Sequence, residues 1–347
     1  VVKAITANRS LTGVAKARWV GLVLAVTLVV SITLAVTIGA AEIRFDQVWG
    51  SIASHLGFGT SPLTLLTDGI VWELRMPRVL TAAAVGAGLA LSGAVMQALM
   101  RNSLADPYLL GLSSGASLGA VSVILLGFAA LLPVAAFVGA ITALALTLLL
   151  ASANGRITPT RTILAGLAVS SLAGAVTSFV IFWSVTGDSY REILSWLLGS
   201  LSGARWPAVA IAGTAIIVIG IPVMLTGRVL DAFAFGDTAA SALGVNVPAT
   251  RWVLLGATAL ITGAMVSVSG SIGFVGLILP HAVRLLVGPS NRSLLPLSAL
   301  VGAIFLVWAD TIARTVFDPR ELPVGIVTAI IGAPIFAILL TRARALA

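Results

Sequence analysis

The chain has no cysteine, two lysines and two histidines, and only 9% of its 347 residues are charged. Without cysteine there is no disulfide, no thiolate nucleophile and no thiolate metal site. His55 and His281 stand far apart and lack the H-E-x-x-H spacing of a helical zinc site. Neither Lys3 nor Lys16 follows a glycine loop of the G-x-x-x-x-G-K-[ST] type, so the chain has no phosphate-binding loop with which to hydrolyse ATP by itself. Intramembrane general bases and proton relays need ionisable groups at depth. Among the 12 carboxylates only Asp310 lies clearly inside an apolar run, and Arg314 one turn later predicts a local i,i+4 ion pair.

What remains is apolar: 59% of residues are hydrophobic, and the few charges separate runs of bilayer-spanning length. The first run, from Trp19 to Ala41, is long enough to cross the ~30 Å hydrocarbon slab and too long for a signal-peptide core of about 7–15 residues, so it reads as a retained helix. Further runs begin near Val79, Leu104, Pro133, Thr162, Pro207, Trp252, Ile272, Leu294 and Pro323. The sequence therefore predicts an all-α polytopic membrane protein of about ten transmembrane helices, one transmembrane domain over residues 1–347. Glycine, serine, Asp106 and His281 interrupt the third and eighth runs. Two sets of five helices would be related by an inverted repeat, because five is odd.

With the segment 1–18 in the cytoplasm, alternation places thirteen of the 20 basic residues on the inner face, Arg156 among them. The positive-inside rule favours this arrangement, a multi-pass protein of the cytoplasmic (inner) membrane with both termini inside. The formal charge of +8 is scattered over helix ends, which topology explains without nucleic acid. Three connections are long: the outer segments 42–74 and 187–205, and the inner segment 227–251.

Arg101–Ala120 reads as a broken helix. Asn102 or Asp106 can cap a helix start, Pro107 suits a first turn, and Ser114, Ala116, Gly119 and Ala120 permit close backbone approach. Two readings stay open for it: tight packing, or a pathway lining at Ser113, Ser114 and Gly115. Ser267–Arg284 occupies the corresponding place in the second half, and Glu321–Phe336 forms a third such passage.

These three passages, with Trp72–Arg78 and Ser92–Gln97, resemble the permease subunits of type II ABC importers, which take up iron-siderophore complexes, haem and cobalamin. The likeness runs from about Trp72 to Leu340. It implies a second permease subunit, identical or related, two ATPase subunits that carry ATP and Mg, a substrate-binding protein and a metal-chelate substrate, with no cofactor on this chain. It places binding-protein docking at Arg75, Arg78 and Arg314, where snorkelling at the interface is the rival reading. ATPase coupling falls on Asp237, Ala239, Ala240 and Gly244, against an ordinary surface helix, with Thr238 where a glutamate is usual. The resemblance puts a cytoplasmic gate at Asn102, Leu104, Thr158, Pro159 and Thr160, with Ser103 in place of a usual proline and Pro159 among positions commonly hydroxyl-bearing. An outer gate is expected in Gly187–Gly199, near Trp183 and Trp196. The favoured cargo is a ferric siderophore, with haem or cobalamin as alternatives. An ion-coupled secondary transporter and a channel are the rival functions, and copurification with an ATPase separates them.

Overall fold

In lipid a backbone must satisfy its own N–H and C=O groups, so charge-free runs become helices. The computed structural model describes residues 2–39, 41, 43–153, 158–184, 187–317 and 319–344, and every regular element among them is helical. In chain order these are α1 (Val2–Thr37), α2 (Phe45–His55), α3 (Leu65–Gly69), α4 (Met76–Met100), α5 (Leu112–Leu125), α6 (Leu132–Ser152), α7 (Pro159–Ser184) and α8 (Gly187–Leu197). There follow α9 (Trp206–Ala215), α10 (Ile221–Leu225), α11 (Gly227–Phe233), α12 (Asp237–Ala242), α13 (Val247–Ser269), α14 (Val275–Val287), α15 (Asn291–Thr315) and α16 (Val324–Arg344). Arg156 lies outside the described residues.

Among these residues seven helical stretches are long and apolar enough to cross a bilayer, and three shorter apolar helices, α5, α14 and the Val324–Leu339 part of α16, bring the number to the ten expected. The end of the bundle where α1 begins is termed basal, and the end where α1 stops, apical. With 14 and 13 residues, α5 and α14 rise only about 20 Å, less than the ~30 Å apolar slab. Irregular backbone over 101–111 and 270–274 supplies the rest, and each interruption precedes the third spanning helix of its set of five.

Two helices continue through π turns, Ile70–Arg75 into α4 and Ile216–Gly220 into α10. Each turn sits just before a proline, Pro77 or Pro222. A proline lacks the N–H and crowds the carbonyl four residues back, and a widened turn accommodates both defects.

The centre of the bundle is α4, buried on nearly all sides as an all-round apolar helix should be. Its small residues admit neighbours on several faces. A Cβ on Gly86 would overlap the Gly302 carbonyl of α15, and one on Gly93 the Gly276 carbonyl of α14. By contrast α1 and α9 expose Leu22, Val23, Val26 and Ile211, which suits lipid rather than water.

Candidate functional site

At the apical end three arginines converge, and their partners lie inside the chain. The last carbonyls of a helix have no intrahelical donor and carry its negative dipole end. Those of α1 are met by Arg75, which donates Nη1 to Val36 O (3.0 Å) and Thr37 O (3.1 Å) and Nη2 to Ala41 O (2.8 Å). Arg314, near the end of α15, donates Nη2 to Ala35 O. Arg78 grips Asp310 with Nε (2.9 Å) and Nη2 (3.0 Å) and reaches Glu321 with Nη1 (2.8 Å). The expected local pair between Asp310 and Arg314 is thus corrected: the carboxylate turns to Arg78 on α4, and Arg314 turns to α1. Three helix-end carbonyls and one buried carboxylate draw the arginines inward more strongly than proximity along α15 does. A cleft of 430 Å³ lies among Arg75, Arg78, Arg205, Arg314 and Glu321.

Deep in the bundle the two helix interruptions are stapled to each other. Arg101 (φ 48°) and Gly111 (φ 82°) turn the chain at either side of the first, and Gly270 (φ 67°) and Phe274 (φ 69°) at either side of the second. Asp106 caps the short 3₁₀ turn Pro107–Leu110 by accepting from Tyr108 N (2.8 Å), with Pro107 in its first turn. Asn102 Oδ1 accepts from Leu104 N (2.9 Å). The Tyr108 hydroxyl then donates to Ile272 O (3.1 Å) and accepts from Ile272 N (3.2 Å), so one side chain satisfies both backbone groups of an unwound residue. Ser113 Oγ and Ser271 Oγ are 2.7 Å apart. Gly115 faces α6, where a Cβ would overlap the Gly139 carbonyl, and Ser114 is half-buried. Of the three residues read as pathway lining, Ser113 therefore joins the two breaks and Gly115 forms a helix crossing. At the apical rim, Ser200 N donates to Ser269 O (2.9 Å) and Gly325 N to Gly199 O (3.2 Å), which ties the segment after α8 to the second break and to α16.

A second bond set completes α14. Pro280 has no N–H to give the Gly276 carbonyl, and Gln97 of α4 supplies the donor from Nε2 to Gly276 O (3.3 Å) and Leu277 O (3.0 Å). Gln97→Ala should therefore lower stability by about 1–3 kcal/mol, the cost of an unsatisfied buried carbonyl. Pro280→Ala returns an N–H to the helix, so the double variant should lose clearly less than Gln97→Ala alone in detergent thermal melts. Equal losses would show that Gln97 acts through packing instead.

At the basal end, Asn102 and Leu104 border a pocket of 160 Å³ with Leu277, His281 and Phe336. Thr158 and Thr160 do not line it; Thr158 opens α7, accepting at its hydroxyl from Arg161 N (3.4 Å) and at its carbonyl from Thr162 N (3.0 Å). Pro159 begins α7, and its side chain lies outside what is described.

The segment 227–251 is firmly anchored. Asp231 accepts from Asn291 N (2.6 Å) and Ser290 Oγ (3.1 Å), which caps α15. Arg251 holds Asp237 at 3.0 Å and lies over the Phe233 ring, 5.8 Å from its centroid. Ala240 is fully buried and Ala239 half-buried, while Gly236 (φ 94°) and Gly244 (φ 85°) turn the chain at both ends of α12. What the segment offers outward was missed by sequence reasoning: Phe235 is 78% and Leu243 69% exposed, one on each side of α12. Their signal was available as the two large apolar residues of 234–244, a stretch otherwise small and polar.

Comparison with known proteins agrees with this architecture. The model of the FecCD transport family matches residues 18–342. A cobalamin import system permease protein of Halobacterium salinarum is 48% identical over 275 residues, 78% of this chain and 73% of that one. A hemin transport system permease protein of Yersinia pestis is 40% identical over 304 residues, 84% and 90% of the two chains. Among solved structures, an inward-facing metal-chelate type ABC transporter superposes with a TM-score of 0.82 at 31% identity, covering 94% of this chain and 99% of the other. The chain therefore belongs to the FecCD transport family, the permease family its sequence motifs resemble.

Proposed function

We propose that this chain and a second permease subunit form the passage through which a ferric siderophore enters the cytoplasm, with ATP and Mg held by two separate ATPase subunits. The observation that carries the reading is the meeting of two unwound helix entries, Tyr108 against Ile272 and Ser113 against Ser271, inside a bundle that superposes on a metal-chelate transporter. Irregular backbone within a membrane persists only where protein buries it or a cavity solvates it, and paired breaks are where a passage can open without unravelling whole helices. The helix ends supply rigid levers on either side of them. Cobalamin is the second reading, favoured by the 48% identity to a cobalamin import permease.

In this reading the basal end is cytoplasmic, and α12 with its flanking apolar residues seats on the ATPase. The apical end then receives the substrate-binding protein. Arg75, Arg78 and Arg314 contribute to that docking through the positive field of their cleft, since Arg75 and Arg78 are bonded within the chain and Arg314 turns its Nη2 to α1. Proteoliposomes containing the permease, its ATPase and its binding protein should accumulate ferric siderophore only when ATP is supplied on the ATPase side. Accumulation by this subunit alone, driven by a proton or sodium gradient, would overturn the proposal; ATP-driven uptake of cobalamin and not siderophore would establish the second reading.

A further inference from the structure

Two cavities bordered by α6, α9 and α13 run into one another. An apical pocket of 650 Å³ and an apolar groove of 580 Å³ share Pro133, Ile211 and Ser267, so together they form one track from the apical rim down the side of the bundle. The groove is floored by small side chains, Ala210, Thr214, Ala215 and Ala264, between larger flanking residues such as Val134 and Leu260. Small residues in such a row leave an apolar groove of the kind that can take an acyl chain.

The mouth is different. Arg191, Glu192 and Arg205 line the apical pocket, and all three are exposed. Arg191 and Glu192 make no ion pair or side-chain hydrogen bond among the described residues, and Arg205 donates only Nη1, to the carbonyl of Ala204 (3.0 Å). Two guanidinium groups and one carboxylate thus face one pocket with nearly all their bonding capacity unused. A phosphodiester suits the guanidinium forks, and a primary ammonium suits the carboxylate. Both charges occur together, joined to acyl chains, in a phosphoethanolamine lipid.

We propose that this track is a specific site for one phospholipid with a phosphoethanolamine headgroup. Its phosphate sits at Arg191 and Arg205, its ammonium at Glu192, and one acyl chain lies in the groove between α6, α9 and α13. The lipid would brace the segment 187–205, which is hydrogen-bonded to the second helix break through Ser200 and Ser269. The site is independent of which chelate the permease carries.

Native mass spectrometry of the full chain in detergent, titrated with dioleoyl phosphatidylethanolamine, tests the assignment. One lipid should bind in preference to dioleoyl phosphatidylglycerol and phosphatidylcholine, and glycerophosphoethanolamine without acyl chains should bind at least tenfold more weakly. Arg191→Gln with Arg205→Gln should weaken binding about tenfold, the loss of one charge-assisted contact set. Glu192→Gln should erase the preference for ethanolamine over glycerol headgroups while leaving the protein's melting temperature unchanged. Ala210→Leu with Thr214→Leu, both at exposed positions, should close the groove and remove the lipid. Unchanged lipid affinity in the arginine and groove variants overturns the site. So does a groove variant that dissociates a protein dimer without altering lipid binding, because the face would then belong to a second copy of the chain.

Discussion

Asp310→Ala should remove most of the folded protein from the membrane. Asp310 is 2% exposed and receives three bonds from Nε and Nη2 of Arg78, itself 9% exposed. Deleting the carboxylate strands a guanidinium beside apolar helices, and an uncompensated buried charge of this kind costs about 3–5 kcal/mol. Set against a total stability on the order of 5–15 kcal/mol, that loss is large. Glu321 cannot take over the role: its side chain is 45% exposed and belongs to the loop before α16, so its pairing with Arg78 is screened by water. The pair joins the start of α4 to the far end of α15, and the same arginine touches the entry to α16, so its loss loosens three helices together.

The double variant Asp310→Ala with Arg78→Met should recover much of the yield and melting temperature, because replacing both partners of a buried pair by apolar groups is close to neutral. Monodisperse yield in detergent and thermal melting read both effects. A single variant as stable as the parent would mean that Arg78 finds another partner, and the importance assigned to the pair would fall.

The origin of this pair also shows where sequence reading stops. The ten spans were legible because charge-free runs of bilayer length have no soluble explanation. The broken entry at 101–111 was legible too, since Asp106 and Pro107 are local signals and do cap the turn as their chemistry suggests. The third and eighth spans looked interrupted because α5 and α14 are in fact too short to cross. The partner of Asp310 was not legible. Helical spacing pointed to Arg314, and the true partner lies 232 positions earlier on another helix. The caps that Arg75 and Arg314 place on the end of α1 leave no local mark either, because a carbonyl that lacks a donor looks the same in sequence whoever satisfies it. Gln97 is a further case. It reads as a polar residue in an apolar helix until Pro280 is seen to leave a carbonyl open beside it.

Long-range complementarity of this kind bears on the segment 227–251 as well. Asp237 was singled out there by resemblance, yet its carboxylate is held by Arg251, which makes it a positioning residue for α12. Asp237 is 47% exposed, so the pair is worth no more than about 1 kcal/mol, and Asp237→Asn should change transport only modestly. Phe235 and Leu243 are another matter. They project from either side of a short helix whose buried face, through Ala240, is packed on the bundle. Gly236 and Gly244 turn the backbone beside them, so the pair is presented on a rigid platform. Large apolar side chains displayed in this way serve as anchors when a partner offers a pocket, and anchors of this type carry about 2 kcal/mol or more each.

Phe235→Asp combined with Leu243→Asp should therefore weaken capture of the ATPase by several hundredfold, about 4 kcal/mol for the two anchors at 1.4 kcal/mol per tenfold. Substrate-stimulated hydrolysis and transport should fall together, while the ATPase alone keeps its basal rate. The permease itself should fold normally, because neither side chain contributes to the core. Pull-down of the ATPase on the variant permease, with thermal melting as the control, separates the possibilities. Full capture would show that the ATPase meets some other part of the basal end. A drop in melting temperature matching the lost capture would show that these residues hold the fold instead. Loss of capture with an unchanged melt is the outcome that an exposed, preorganised pair of anchors requires.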